Sequence, residues 1–167
     1  RNFHVHILII PFSNVRTEME PLGGVFQLEQ ARALARAGHQ VGIISAGVIT
    51  LRYLFSGYPY KRQEQCENFH ISRRYERIFA LARYYPHKAF QKKVSRIFFA
   101  EYDAYVKEHG RPDVVHAHNF LYAGFVAAEL KDKYGIPFVL TEHSSAFARG
   151  GVPDGLNSDL RAVCGKA

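Results

Sequence analysis

Short β-branched apolar runs alternate along this chain with longer segments whose apolar positions recur at helical spacing. His4 to Ile10 (HVHILII) is a continuous apolar run ended by Pro11, the pattern of a central strand covered on both faces. From about Gly24 to Ala37, Glu29, Arg32 and Arg36 fall on one narrow stripe while small and apolar residues fill the rest of the circumference, which predicts a largely buried helix. Gly38 is placed to stop it, and Val41 to Ser45 follows as a second strand, joined to the first by a right-handed parallel crossover. Between Ala46 and Arg62 the pattern weakens, with Gly57 to Tyr60 marking a turn. Phe69 to Tyr75 alternates loosely, as a strand would, and Arg83 to Pro86 breaks the pattern. A long helix is then expected from about His87 to Glu108, with Phe90, Val94, Ile97, Phe98 and Tyr105 on one side and Lys88, Lys92, Lys93, Arg96 and Lys107 on the other. Asp113 to Ala117 reads as a short strand running almost directly into a helix from about Asn119 to Tyr134, and Gly135-Ile136-Pro137 opens a last strand, Phe138 to Thr141. Strand, helix and strand thus recur, which predicts an α/β fold: a Rossmann-like, doubly wound parallel sheet with helices on both faces, in one domain over residues 1–167. The end, GLNSDLRAVCGKA, carries neither a strand nor a clear capping element, so both ends are expected to be boundaries drawn around one domain of a longer protein.

Composition narrows the class. A chain of 167 residues, 47% apolar, has material for one real core. It contains no apolar run of membrane-spanning length, and HVHILII is too short and wrongly flanked for a signal peptide, so a soluble, unexported, cytoplasmic protein is expected. Cys66 and Cys164 stand in no metal-ligand or redox spacing and are assigned no role. The net charge of +7 is unevenly placed: twelve of the 22 Lys and Arg, but five of the 15 Asp and Glu, lie between Arg52 and Lys107, together with fourteen of the 23 Phe and Tyr. That span reads as a surface for an anionic partner, a membrane face or a charged substrate. Phe99, set among Lys88, Lys92, Lys93 and Arg96, fits a peripheral membrane interface as well as a solvated charged face with one stray aromatic.

In a doubly wound sheet, ligands gather beyond the carboxyl ends of the strands. Those ends carry Ser13, Asn14, Gly23, Gly24, His118, Asn119, Glu142, His143 and Ser144. A helix start leaves its first amides unpaired and partly positive, and two glycines let an anion come close, so Gly23-Gly24 reads either as a phosphate cradle or as a simple helix cap. Neither G-x-G-x-x-G nor G-x-x-x-x-G-K-[ST] occurs. The adjacent glycines follow an eleven-residue loop, which suggests a phosphate presented from outside rather than wrapped by this domain alone. His116-Ala117-His118 sets two imidazoles on one side of a strand. His118, at the tip, is suited to a sugar hydroxyl or a leaving phosphate, whereas His116 reads as a hydrogen-bonded core histidine. His4, His6, His116, His118 and His143 lack the carboxylate and cysteine partners of a metal site, so no metal is expected, and no Ser-His-Asp grouping is identifiable.

PLGGVFQLEQARALARAGHQVGIIS and DVVHAHNFLYAGFVAAELKDKYGIPFVLTEHSS, in that order, resemble the N-terminal domain of family-4-type retaining glycosyltransferases, enzymes of the two-domain GT-B fold. The likeness spans most of the chain outside Thr50 to Arg111 and rests on GG before the first helix, HAH at one strand end and TEH at the next. It implies an acceptor-binding half, with a nucleotide-sugar donor held mainly by a second Rossmann-like domain. Gly23 and Gly24 would meet the donor's diphosphate, and His118 would reach the transferred sugar as the catalytic residue. Ser13, Asn14, Asn119, Thr141, His143 and Ser144 would line the substrate side. The resemblance also implies transfer without a metal or other cofactor, with retained anomeric configuration, and with the leaving phosphate taking the acceptor's proton. The acceptor would be a glycan or a lipid-linked or anionic molecule, met through the basic span at the inner face of a membrane. Because the donor domain and its paired glutamates are missing, the piece alone is expected to be inactive. Two other readings are weighed: half of a GT-B-fold sugar-nucleotide epimerase, which needs catalytic carboxylates that these strand ends lack, and a non-catalytic basic nucleic-acid binder, which lacks an RNP-like aromatic strand.

Overall fold

The computed structural model describes residues 4–11, 23–49, 61–66, 68–77, 87–143, 149 and 156–167. β1 (His6–Ile10) leads to α1 (Val25–Arg36) and β2 (Gln40–Ile49), then to β3 (Lys61–Cys66) and β4 (Phe69–Arg77). α2 (His87–His109), β5 (Val114–His118), α3 (Phe125–Tyr134), β6 (Phe138–Thr141) and α4 (Asn157–Cys164) complete the order. The sheet runs β3-β4-β2-β1-β5-β6, parallel throughout except for the β3–β4 pair. The expected Rossmann-like α/β sheet is therefore present, with β1 in its middle and an antiparallel strand at one edge.

Apolar content on both faces of β1 explains its place. Leu8 and Ile10 enter a core with Phe98, Tyr102 and Tyr105 of α2 and Val126, Ala127 and Leu130 of α3. Ile9 enters a second core on the other face, with Leu28 and Ala31 of α1 and Ile43 and Ile71. Each such fully buried side chain contributes about 2 kcal/mol of transfer free energy, so a strand that feeds two cores is fixed in the centre.

Four expectations need correction. α1 is not largely buried: Gln27, Leu28 and Ala31 are, but Phe26 is 75% exposed, because a single helix covers that face and can bury only one stripe. The helix expected from Asn119 begins later, after an irregular turn over Phe120–Gly124. The C-terminal stretch does form an element, α4, whose Val163 is 3% exposed and seals the main core beside Gly124. Phe99 is no stray exposed aromatic: it is partly buried, edge-on to Phe98 and Tyr102. The Lys133 ammonium lies 5.0 Å from the Phe99 ring centre.

The basic span is in part internally neutralised. Arg73, 2% exposed, donates from Nε to Glu64 Oε1 at 3.0 Å, while Arg96 Nη2 and Lys93 Nζ share Glu76 Oε2 at 2.6 and 3.9 Å. Lys88 and Lys92 stay exposed beside Arg96, Phe99, Glu129 and Asp159, which help to line a surface groove of about 370 Å³ between α2, α3 and α4. Ser95 in that groove donates to Glu129 Oε2 at 2.5 Å. Cys66 and Cys164 are free thiols. Among the described residues, no helix is long and apolar enough to cross a membrane.

Candidate functional site

β1 sends its crossover through α1 to β2 on one side, and β5 sends its own through α3 to β6 on the other, so the two connections diverge at neighbouring strands. Ile10 lies in register with Ala117, which sets the carboxyl ends of β1 and β5 side by side. This is the topological switch point, where doubly wound sheets open a crevice.

On the α1 side, Gly24 is the N-terminal cap residue with φ 65° and ψ 21°, left-handed values that favour glycine over any residue with a Cβ. Among the described residues no side chain caps this helix. Gly24 uses its carbonyl to accept from Leu28 N–H, as the first intrahelical bond requires, and the amides of the first turn face away from that ladder. The cap reading and the cradle reading of Gly23-Gly24 are thus compatible: the left-handed turn starts the helix and leaves its donors unclaimed by a capping side chain.

On the β5 side the backbone is unusual. Asn119 has φ 69° and ψ 143°, a region that residues with side chains rarely occupy, and Tyr122 has φ 63°. Three bonds hold Asn119 there: its N–H donates to Thr141 O at 2.7 Å, its carbonyl accepts from Gly124 N–H at 3.1 Å, and its Oδ1 accepts from His143 N–H at 2.9 Å. Glu142 Oε2 accepts from Phe120 N–H at 2.8 Å. The turn after β5 is therefore stitched to the end of β6, and Asn119 and Glu142 spend side-chain oxygens on that fastening.

The imidazoles sit between these two walls. His116 and His118 stack at 4.3 Å between ring centres, and His118 and His143 stack at 5.2 Å with planes only 1° apart. His116 Nε2 is 2.7 Å from Thr141 Oγ1, as a hydrogen-bonded core histidine should be. His118 is 3% exposed, with Nδ1 2.9 Å from His143 Nε2 and Nε2 2.9 Å from Gln30 Oε1 on α1. The ring of Phe26, also on α1, stacks over His143 at 6.1 Å. Burial, then the neighbouring His116 and His143, push His118 down to about 4, and burial with His143 lowers His116 as well. Both are neutral at physiological pH. His143 is the exposed member of the set.

The structure thus gathers Gly23, Gly24, His118, Asn119, Thr141 and His143 on one rim. Ser13, Asn14 and Ser144 lie outside the described residues. Lys88, Lys92, Lys93, Arg96 and Phe99 belong to the α2 groove rather than to this rim. One participant carried no sequence signal: Gln30 looks like any polar helix position, and only its contact with His118 reveals it. Among the described residues, no three His, Cys, Asp or Glu side chains are arranged to hold a metal ion.

Residues 23–164 match the family model described as Glycosyltransferase Family 4, a stretch that begins at the first glycine of the rim and ends at the last residue of α4. No curated protein matches the chain.

Proposed function

The chain belongs to glycosyltransferase family 4, and on that premise we propose that it is the acceptor-side, N-terminal domain of a retaining transferase that moves a sugar from a nucleotide-sugar donor to an acceptor. In this reading the donor's diphosphate rests against the first-turn amides of α1 at Gly23 and Gly24. The donor's nucleotide is held by a second domain across the crevice, and the chain alone does not turn over. The acceptor hydroxyl attacks the anomeric carbon on the face from which the diphosphate leaves, and its proton passes to a leaving-phosphate oxygen. The amides stabilise the charge that develops on that phosphate, with no metal required. The substrate side is formed by Ser13, Asn14, Asn119, Thr141, His143 and Ser144, and the α2 groove favours an anionic or lipid-linked acceptor at the inner face of a membrane.

The observation that carries the reading is the juncture of the two walls. Gln30 bonds His118 and Phe26 stacks on His143, so the α1 start and the imidazoles at the β5 and β6 ends share one crevice. Neither alternative gains similar support. Glu142, a carboxylate beside the rim, is engaged with Phe120 N–H rather than held ready for an epimerase's proton transfers. The basic surface shows partial internal pairing in place of an aromatic stacking platform for nucleic acid.

Titration with inorganic pyrophosphate, followed in ¹H–¹⁵N spectra of the chain, tests it. Shifts of the Gly23 to Phe26 amides are expected. Shifts confined to other surfaces, or none, would overturn the assignment of this crevice to the donor.

A further inference from the structure

The sequence points to His118 as the imidazole that meets the substrate, yet its surroundings leave it no group to offer. It is 3% exposed, and both ring nitrogens are engaged. The identity of its partners also fixes the direction of the chain of bonds. Gln30 Oε1 only accepts, so His118 must carry its proton on Nε2. A neutral imidazole then has a bare Nδ1, which accepts, so His143 must donate from Nε2. The order is His143 Nε2–H to His118 Nδ1, then His118 Nε2–H to Gln30 Oε1. Every proton in this row is directed inward from the rim toward α1.

We propose that His143 is the imidazole that faces the anion at the start of α1, and that His118 and Gln30 are positioning residues that fix its tautomer and hold its ring. The proposal rests on the reading of this crevice as the donor's. With Nε2 committed to His118, His143 keeps Nδ1 as its second polar atom: an acceptor toward a sugar hydroxyl when neutral, a donor toward a phosphate oxygen when protonated. Four contacts converge on that one residue. Its Nε2 meets His118, its backbone N–H meets Asn119 Oδ1, and its ring is stacked on His118 and on Phe26. The strained Asn119 is accounted for by the same purpose, since its left-handed backbone aims the side chain at His143 N–H. A proton reaching His143 stays there, because the row ends on an amide oxygen that cannot take one and His118 is buried.

Two readouts from one ¹⁵N-labelled sample separate this proposal from the reading beneath it. In the ligand-free chain, multiple-bond ¹H–¹⁵N spectra of the histidine rings should show His118 as the Nε2–H tautomer from pH 8 to pH 5. Gln30→Leu should abolish that single tautomer, and Gln30→Glu, whose carboxylate accepts as the amide did, should restore it. A wild-type Nδ1–H tautomer, or a Gln30→Leu spectrum unchanged from wild type, overturns the proposal whatever the ligand does. On adding inorganic pyrophosphate, the His143 ring signals should move together with the Gly24 and Val25 amides. Movement of those amides with a static His143 overturns the proposal alone, whereas static amides overturn the donor reading and the ligand role of His143 with it.

Discussion

At Gly42, in β2, an added methyl would stand 2.0 Å from the Tyr105 hydroxyl, too close for any real contact. Tyr105 is 1% exposed and its hydroxyl pairs with His6 Nε2 at 2.7 Å, so it cannot swing aside without breaking a buried bond. Gly42→Ala should cost about 2–3 kcal/mol of unfolding free energy, the sum of overpacking and a weakened hydrogen bond. Urea denaturation measures it directly, and a loss under about 0.5 kcal/mol would mean that α2 can lift from the sheet at no cost. Single residues were also where the sequence said least. The HAH and TEH histidines stood out because imidazoles at strand ends are chemically conspicuous, but their roles depended on contacts that no local pattern encodes. Gln30 shows why: its partner lies 88 residues away, and its helix position looks like solvent-facing surface.

The helices and strands themselves were legible in proportion to how much of their circumference is buried. β1, β5 and β6 are parallel strands inside the sheet or beside its core, and their apolar runs fell within a residue or so of the observed limits. β3 (KRQEQC) was missed because it is an antiparallel edge with three of its first four residues polar and largely solvated, so no apolar alternation marks it. β2 continues to Ile49, past the expected stop at Ser45, because β4 pairs with it along eight positions and carries it outward. α2 kept its apolar side as expected, and its opposite side yields a prediction of its own. If that side meets an anionic membrane, Lys88→Glu with Lys92→Glu should weaken co-sedimentation with phosphatidylserine vesicles at least tenfold, since each lysine near such a surface is worth about 1 kcal/mol. Phe99→Ala should leave vesicle affinity unchanged and lower stability instead, because that ring packs inward. Equal binding of the wild type to neutral vesicles would remove the membrane role.

Across the whole molecule, burial lowers His6, His70, His116 and His118 together. Each is neutral in the fold and free to charge in the unfolded chain near the ordinary imidazole value of 6.5. The unfolded state therefore binds more protons below that value, and the stability that these groups secure above it is lost as pH falls toward their folded values. For His118, dropping to about 4, the loss approaches 3 kcal/mol when complete. Glu101, 0% exposed and raised by burial, has the opposite sign: its folded carboxyl holds a proton that the unfolded one releases, so it offsets part of the decline. Unfolding free energy should fall by more than about 2 kcal/mol between pH 7.5 and pH 5. His118→Asn should flatten that slope, and a wild-type profile flat over the interval would contradict the neutral, buried state of these rings. The bond from Gln30 to His118 has a mechanical sequel. It links the first crossover to the second with no intervening element, so any tilt of α1 on its sheet tugs on an imidazole rooted in the other half of the fold. Seating that helix and arming the rim are then one event, and whatever presses on α1 sets how the rim is dressed for its ligand.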